Sequence, residues 1–192
     1  MKVKLDEHIN YIVSGLERSG TSMMMQILRA GGLPTAFDDL RKADENNPKG
    51  YYELEGGKII NKLIDKAFPM EKYRGMFIKI TAFGLTFLPQ GSYKVIYMER
   101  NLEEVLDSME KMAKINDETR EETKESFKKL NDKVKRDIQS REDVDVLFVS
   151  YNEILACPEE SIKRVCDFIV LPDTTVKEMV DAVDKRLYRQ RR

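Results

Sequence analysis

The sequence predicts an α/β protein with three layers, α/β/α, around a mainly parallel central sheet. Short apolar runs typical of buried strands alternate with longer runs at helical spacing. A turn bracketed by two glycines joins the first strand to the first helix. The chain has 192 residues, of which 41% are hydrophobic, enough for one domain with a single sizeable core. We therefore predict one domain over residues 1–192.

Strands and helices alternate along most of the chain. Four apolar runs predict strands, at residues 9–15, 75–81, 93–99 and 144–150. Five runs at helical spacing predict helices, at residues 22–30, 57–68, 102–113, 158–169 and 173–187. Gly31 and Gly32 end the first helix, Pro158 occupies the first turn of the fourth, and an Asp or Thr caps the last.

Two segments interrupt this alternation. Residues 33–58 are rich in Pro, Gly, Asn and Asp and predict a long loop, which in a compact domain is more often functional than idle. Residues 113–142 are charge-rich, with apolar residues at helical spacing. This second segment predicts an amphipathic helix packed on the domain, or a mobile lid over a ligand.

Composition excludes several classes of function. The net charge of −1 argues against a general nucleic-acid or membrane-surface binder, so an anion site must be a local basic cluster. No apolar run approaches the roughly 20 residues of a membrane span, and the start has no apolar signal-peptide core. Cys157 and Cys166, the two cysteines, suggest reduced thiols and predict a cytoplasmic location.

The stretch SGLERSGTSMMM, residues 14–25, predicts a phosphate-binding loop. Gly15 and Gly20 allow a tight backbone path that turns N–H groups toward an anion, and the following helix adds its positive end. The loops that bind nucleoside triphosphates carry a lysine where Thr21 stands here, so Arg18 must supply the positive charge instead. An ordinary strand-to-helix turn is the alternative.

The loop resembles that of sulfotransferases that use 3′-phosphoadenosine 5′-phosphosulfate (PAPS), commonly P-[KR]-x-G-T-[ST]. Glu17 stands where that family often has proline. The resemblance implies that the 5′-phosphosulfate is bound by Arg18, Ser19, Gly20, Thr21 and Ser22.

Further stretches extend the resemblance over about residues 10–171. Arg100 at a strand end and Ser108 eight residues later resemble the family's 3′-phosphate ligands, although Arg100 could instead pair with a neighbouring glutamate. Tyr151 after the last strand is expected to lie against the adenine, or to be a core residue. NPKGYYELE, residues 47–55, resembles a segment of bacterial members.

The resemblance implies transfer of a sulfuryl group from PAPS to a hydroxyl or amine, with no metal. Arg18 and Lys79 would stabilise the charge that develops on the transferring group, although Lys79 could instead be an edge lysine whose ammonium group reaches solvent. Glu53 is the first candidate for the base, with Asp38, Asp39 and Glu55 as weaker ones, and Glu53 could equally be a cap or the partner of an arginine. His8, the one histidine, precedes the first strand, roughly 20 Å from the expected site.

The C-terminal arginines could complete the nucleotide site. The resemblance implies that Arg189, or Arg191 or Arg192, folds back on the 3′-phosphate, whereas a solvated tail is the alternative. The glycine-rich C-terminal element of animal cytosolic sulfotransferases is absent.

The sequence is also compatible with two other functions. One is a P-loop kinase or other nucleotide-dependent enzyme, and the other is a nucleotide binder without catalysis. We expect a small-molecule or glycan acceptor and no nucleic-acid partner, while the sequence does not define the oligomeric state.

Overall fold

The computed structural model describes residues 3–172 and 175–184. Its centre is a four-stranded sheet of β1 (Asn10–Gly15), β2 (Phe77–Lys79), β3 (Tyr93–Glu99) and β4 (Val144–Ser150). The strand order is β2-β1-β3-β4, and every neighbouring pair is parallel. The predicted α/β fold with a parallel sheet is therefore confirmed.

Eight α-helices accompany the sheet in the described part of the chain. They are α1 (Thr21–Ala30), α2 (Ile59–Ile64), α3 (Ala82–Leu85), α4 (Leu102–Ala113), α5 (Arg120–Gln139), α6 (Tyr151–Ala156), α7 (Pro158–Ile169) and α8 (Val176–Asp181). Two short 3₁₀ turns lie at Glu55–Gly57 and Met70–Tyr73.

The sheet is buried on both faces, which makes the three layers. Successive strand residues point to opposite faces. Thus Val13 belongs to a core cluster shared with α1, α7 and α8, while Ile12 belongs to a second cluster with residues of α2, α3 and α5. Both side chains are fully buried. This explains the consecutive apolar residues in the middle of β1 and β3, a pattern usual for parallel strands covered on two sides.

Several elements are shorter than predicted. The helix predicted over residues 57–68 spans only Ile59–Ile64, because Lys66 adopts a left-handed conformation with φ 54° shortly before Pro69. The strand predicted over residues 75–81 is reduced to Phe77–Lys79 at the sheet edge. Thr175 precedes α8, but its side chain makes no capping hydrogen bond.

The charge-rich segment forms α5, a helix of 20 residues. Val134 and Ile138 are buried in the second cluster, and Phe127 and Leu130 pack against it with partial burial. The apolar stripe of α5 thus anchors the helix on the domain. No helix in the described ranges is long and apolar enough to cross a bilayer.

Candidate functional site

A cavity of about 300 Å³ opens at the carboxyl ends of β1 and β3. The β1–α1 turn, residues 41–58, the end of β2, and residues of α4 contribute to its wall. Open α/β sheets bind their ligands at this edge. Among the described residues, cations outnumber carboxylates in the wall six to two; the cations are Arg18, Arg41, Lys58, Lys79, Arg100 and Lys111. The cavity is thus a local basic site in a chain of nearly zero net charge.

The β1–α1 turn has a backbone that depends on its glycine at position 20. Gly20 has φ 100°, and a Cβ there would collide with the Tyr151 ring. Ser19 is buried beneath the turn and donates its hydroxyl to the Leu16 carbonyl at 2.7 Å. Helix α1 begins at Thr21, with no acidic residue in its first turn. The N-terminus of α1 therefore presents its partial positive charge beside the cavity.

Arg18 joins two parts of the predicted nucleotide site. Its Nε donates to the Ser108 hydroxyl at 2.9 Å, across 90 residues of sequence, and its Nη2 donates to the Asn46 carbonyl at 3.3 Å. Burial lowers the pKa of Arg18, and the nearby Arg100 lowers it further. A guanidinium nevertheless stays charged in proteins. The residues predicted for the 5′-phosphosulfate and the 3′-phosphate therefore lie side by side.

Arg100 is held by an acidic partner. Its Nε donates to Glu104 Oε2 at 2.9 Å, its Nη1 donates to the Arg18 carbonyl at 3.0 Å, and its guanidinium lies 4.4 Å from the Tyr151 ring centre. Glu104 is only 1% exposed and also accepts a hydrogen bond from Asn152. The glutamate pairing left open by the sequence is therefore present, while Arg100 still lines the cavity.

Lys79 places its ammonium group among polar partners at the floor of the cavity. Its Nζ lies 2.9 Å from Glu53 Oε1 and donates to the Ser22 hydroxyl at 3.2 Å and to the Tyr51 carbonyl. Burial lowers the pKa of Lys79, and the Glu53 carboxylate opposes that shift. The partners explain how a lysine is tolerated at a buried position of an apolar strand.

Glu53 is shared between two cations. Besides Lys79, it accepts a charged hydrogen bond from Arg41 Nη1 at 3.1 Å. The Arg41 guanidinium lies 3.6 Å from the centre of the Tyr51 ring. Sequence reasoning missed Arg41, because neither its stacking on Tyr51 nor its pairing with Glu53 has a local signature. The two ion pairs fix the carboxylate at the cavity wall.

The segment 44–53 is attached to the β1–α1 turn through its own backbone. The Tyr51 carbonyl accepts from Lys79 and from Ser22 Oγ, the latter at 3.1 Å. The Asn46 carbonyl accepts from Arg18. Inside the segment, the Tyr51 hydroxyl donates to Asp44 at 2.8 Å, which fixes the shape of the loop. We call the contacts of the Asn46 and Tyr51 carbonyls the carbonyl latch.

Most of the residues predicted for the site do meet at the cavity. Gly20, Thr21, Ser22, Glu53, Lys79, Ser108 and Tyr151 line it together with Arg18 and Arg100, whereas Ser19 supports the turn from below. Tyr151 is 6% exposed and belongs to the first core cluster, and its ring also lies against Gly20 and the Arg100 guanidinium.

The weaker candidates lie elsewhere. Asp38 accepts hydrogen bonds from the amides of Leu40 and Glu55, and Asp39 and His8 are exposed. Arg189, Arg191 and Arg192 lie outside the described residues. Within the described ranges, no group of His, Cys, Asp or Glu side chains could hold a metal ion.

The family model described as "Sulfotransferase domain" matches residues 8–191, nearly the whole chain. The chain belongs to the sulfotransferase domain family. The resemblance inferred from four separate stretches of sequence is therefore confirmed. No curated protein matches the sequence of this sulfotransferase.

Solved structures share the fold of this sulfotransferase. The sulfotransferase domain of the Synechococcus PCC 7002 olefin synthase has a TM-score of 0.55 at 16% identity, covering 94% of this chain and 82% of that one. A mouse sulfotransferase complexed with PAP has a TM-score of 0.54 at 17% identity, and the match covers 93% of this chain and 65% of the mouse chain. A retinol dehydratase in complex with androsterone and the inactive cofactor PAP has a TM-score of 0.53 at 17% identity, and the match covers 94% of this chain and 65% of the dehydratase. The predicted three-layer P-loop-type fold is confirmed, and this chain spans about two thirds of the length of the last two.

Proposed function

We propose that this sulfotransferase transfers a sulfuryl group from PAPS to a hydroxyl or amine of a small-molecule or glycan acceptor. The observation that carries the proposal is the Arg18–Ser108 hydrogen bond, which joins the two predicted anion-binding groups in one basic cavity. The two solved relatives that hold PAP, the adenosine bisphosphate related to PAPS, support it. PAPS supplies the activated sulfuryl group in this reaction.

The residues of the cavity fit an anionic nucleotide. Backbone N–H groups between Gly15 and Ser22, with Arg18, suit the 5′-phosphosulfate, because charge-assisted hydrogen bonds to such groups are strong. Ser108 and Arg100 suit the 3′-phosphate. Tyr151 contributes by holding Gly20 and the Arg100 guanidinium in place.

We propose that Lys79 and Arg18 stabilise the negative charge that develops during transfer. Preorganised cations in a partly closed cavity lower such a barrier without reorganisation. Glu53 is the proposed base toward the acceptor, since its carboxylate lines the same cavity. The ion pairs with Arg41 and Lys79 hold this carboxylate at the cavity wall, where it would accept the proton of the acceptor.

The two free cysteines support our proposal that the protein is cytoplasmic. Cys157 is exposed and Cys166 is buried in the first core cluster, and neither forms a disulfide. A reducing compartment suits both thiols.

Calorimetric titration with adenosine 3′,5′-bisphosphate, alongside ATP and GTP with Mg²⁺, tests the proposed function. We expect the bisphosphate to bind with a dissociation constant in the micromolar range or tighter, and chelation of metal to leave its binding unchanged. Tighter binding of a triphosphate with Mg²⁺ would favour a kinase instead. Binding without sulfuryl transfer to any acceptor in a broad screen would favour a non-catalytic relative.

A further inference from the structure

The cations of the cavity differ in whether they already have partners. Arg41 and Lys79 share Glu53, Arg18 donates to Ser108 and Asn46, and Arg100 pairs with Glu104. The side chains of Lys58 and Lys111 line the cavity without a hydrogen-bond or ion-pair partner among the described residues. Among the described residues, neither lysine charge is therefore neutralised by a neighbour.

Lys111 lies on the same side of α4 as Ser108. The two residues are three positions apart in a regular helix, so their Cβ atoms are about 5–6 Å apart on one face. Both line the cavity. A phosphate that accepts a hydrogen bond from the Ser108 hydroxyl would lie within reach of the flexible Lys111 ammonium group.

The charge of Arg100 cannot by itself balance a phosphate. Arg100 and Glu104 are 7% and 1% exposed at their side chains and form an ion pair with no net charge. The buried Glu104 carboxylate would offset part of the attraction between Arg100 and a phosphate. Among the described residues that line the cavity, uncompensated positive charge near Ser108 therefore comes from Arg18 and Lys111.

We propose that Lys111 binds the 3′-phosphate and makes this sulfotransferase prefer nucleotides that carry one. The inference rests on the proposed function, since it assigns a residue to one phosphate of the proposed nucleotide. Lys111 thereby supplies positive charge to this phosphate from α4.

Lys58 provides a matched control. It is also an exposed lysine in the cavity wall, but it follows Gly57, which lies close to the Glu53 carboxylate. It is thus on the Glu53 side of the cavity, whereas Lys111 is on the Ser108 side. Replacing either lysine by alanine removes the same charge from the same cavity.

The test is a calorimetric titration of the full chain with two ligands, adenosine 3′,5′-bisphosphate and adenosine 5′-monophosphate. We expect the wild-type protein to prefer the bisphosphate. Lys111→Ala should weaken bisphosphate binding about tenfold and change monophosphate binding by less than about twofold, as expected for loss of one charged contact. Lys111→Arg should keep most of the preference, and Lys58→Ala should keep all of it. Far-ultraviolet circular dichroism checks that each variant is folded.

Three outcomes would overturn the inference. If Lys111→Ala keeps the wild-type preference, another residue binds the 3′-phosphate, and the proposed function stands. If Lys111→Ala weakens the binding of both ligands equally, Lys111 attracts anions in general and does not recognise the 3′-phosphate. If the wild-type protein binds neither nucleotide, the inference and the proposed function both fail.

Discussion

Arg18 carries the key positive charge of the cavity on a strained backbone. Its φ of 64° lies in the left-handed region, where a side chain other than Asn or Asp is uncommon. The same residue donates to Ser108 through Nε and to Asn46 through Nη2. The hydrogen bonds of the Arg18 side chain therefore offset the strain of its backbone. Strained residues held by their surroundings are often found in functional loops.

The left-handed conformation makes asparagine the most informative replacement for Arg18. Arg18→Asn removes the cation and introduces a residue that tolerates positive φ, whereas alanine would remove the cation and leave the backbone strain unchanged. We expect Arg18→Asn to weaken binding of adenosine 3′,5′-bisphosphate by roughly 10- to 100-fold. Its free energy of unfolding in urea should stay within about 1 kcal/mol of the wild-type value. A larger loss of stability, or unchanged affinity, would contradict this role.

The sequence predicted the residues of the turn but not their pairing. Gly15, Arg18 and Gly20 could be recognised because the order strand, glycine turn and helix is local. The pairing of Arg100 with Glu104 was one of two alternatives, since burial of Glu104 is a property of the fold. Arg41 and Lys111 were missed because their positions in the cavity depend on how distant segments pack.

Helix α4 carries two neighbouring stripes of polar residues, one on the side of the cavity and one that binds Arg120. Glu104, Ser108 and Lys111 face the nucleotide side, while Glu103, Asp107 and Glu110 lie one position earlier, about 100° around the helix. Arg120 contacts this second stripe at 2.8, 2.7 and 2.9 Å, in that order. Lys124 also pairs with Glu103, at 2.5 Å. This cluster ties the start of α5 to α4.

The cluster makes the docking of α5 sensitive to acid. Hydrogen bonds from Lys124 and Arg120 lower the pKa of Glu103 to about 2, from 4.5. A carboxyl group with a lowered pKa in the folded state stabilises the fold above its unfolded pKa and loses this effect as the pH falls toward the folded value. Glu103→Gln should therefore be less stable than the wild type at pH 7, and the gap should close as the pH falls from about 4.5 to 2.

Urea unfolding at a series of pH values measures that gap. Glu125→Gln is the control, because Glu125 forms an exposed pair with Lys129 on the same helix as Arg120. Its effect should be small throughout, as is usual for surface ion pairs. A constant gap between Glu103→Gln and wild type from pH 7 to pH 2.5 would show that the ion pairs do not stabilise the docking.

Long elements were predicted well and short ones were not. The bounds of β3, β4, α4 and α7 agree with the sequence prediction because their apolar periodicity runs unbroken between clear end signals. Helices α3 and α6 have four and six residues, too few for a periodic pattern, and were missed. The early end of α2 depends on the backbone at Lys66, which no sequence pattern marked.

At the scale of the whole molecule, strand order creates the site. Strands β1 and β3 are neighbours, with Gly15 opposite Met98, although some 80 residues separate them. Their carboxyl ends therefore bring the β1–α1 turn and Arg100 together. The sequence predicted a parallel sheet but not this order, because the order is decided by which helices can cover each face.

The proposed nucleotide site is lined by the β1–α1 turn, Arg100 and residues of α4, so binding should stabilise the entire domain. At a bisphosphate concentration of about 100 times the dissociation constant, linkage adds about 2.7 kcal/mol, which raises the melting temperature by roughly 5–10 °C for a chain of this size. Differential scanning calorimetry measures the shift. ATP with Mg²⁺ at equal concentration should give a smaller rise, and a larger one would contradict the proposed ligand.

The carbonyl latch holds the loop through main-chain atoms, which are kept when the sequence of the loop changes. Its acceptors are the main-chain oxygens of Asn46 and Tyr51, which every amino acid carries. Substitution at these two positions therefore leaves the acceptor atoms of the latch in place. Side chains of this loop other than Asp44 and Tyr51, whose hydrogen bond fixes its shape, can vary among descendants of the protein. The molecules admitted beside Glu53 can then change while the loop keeps its anchorage to the nucleotide site.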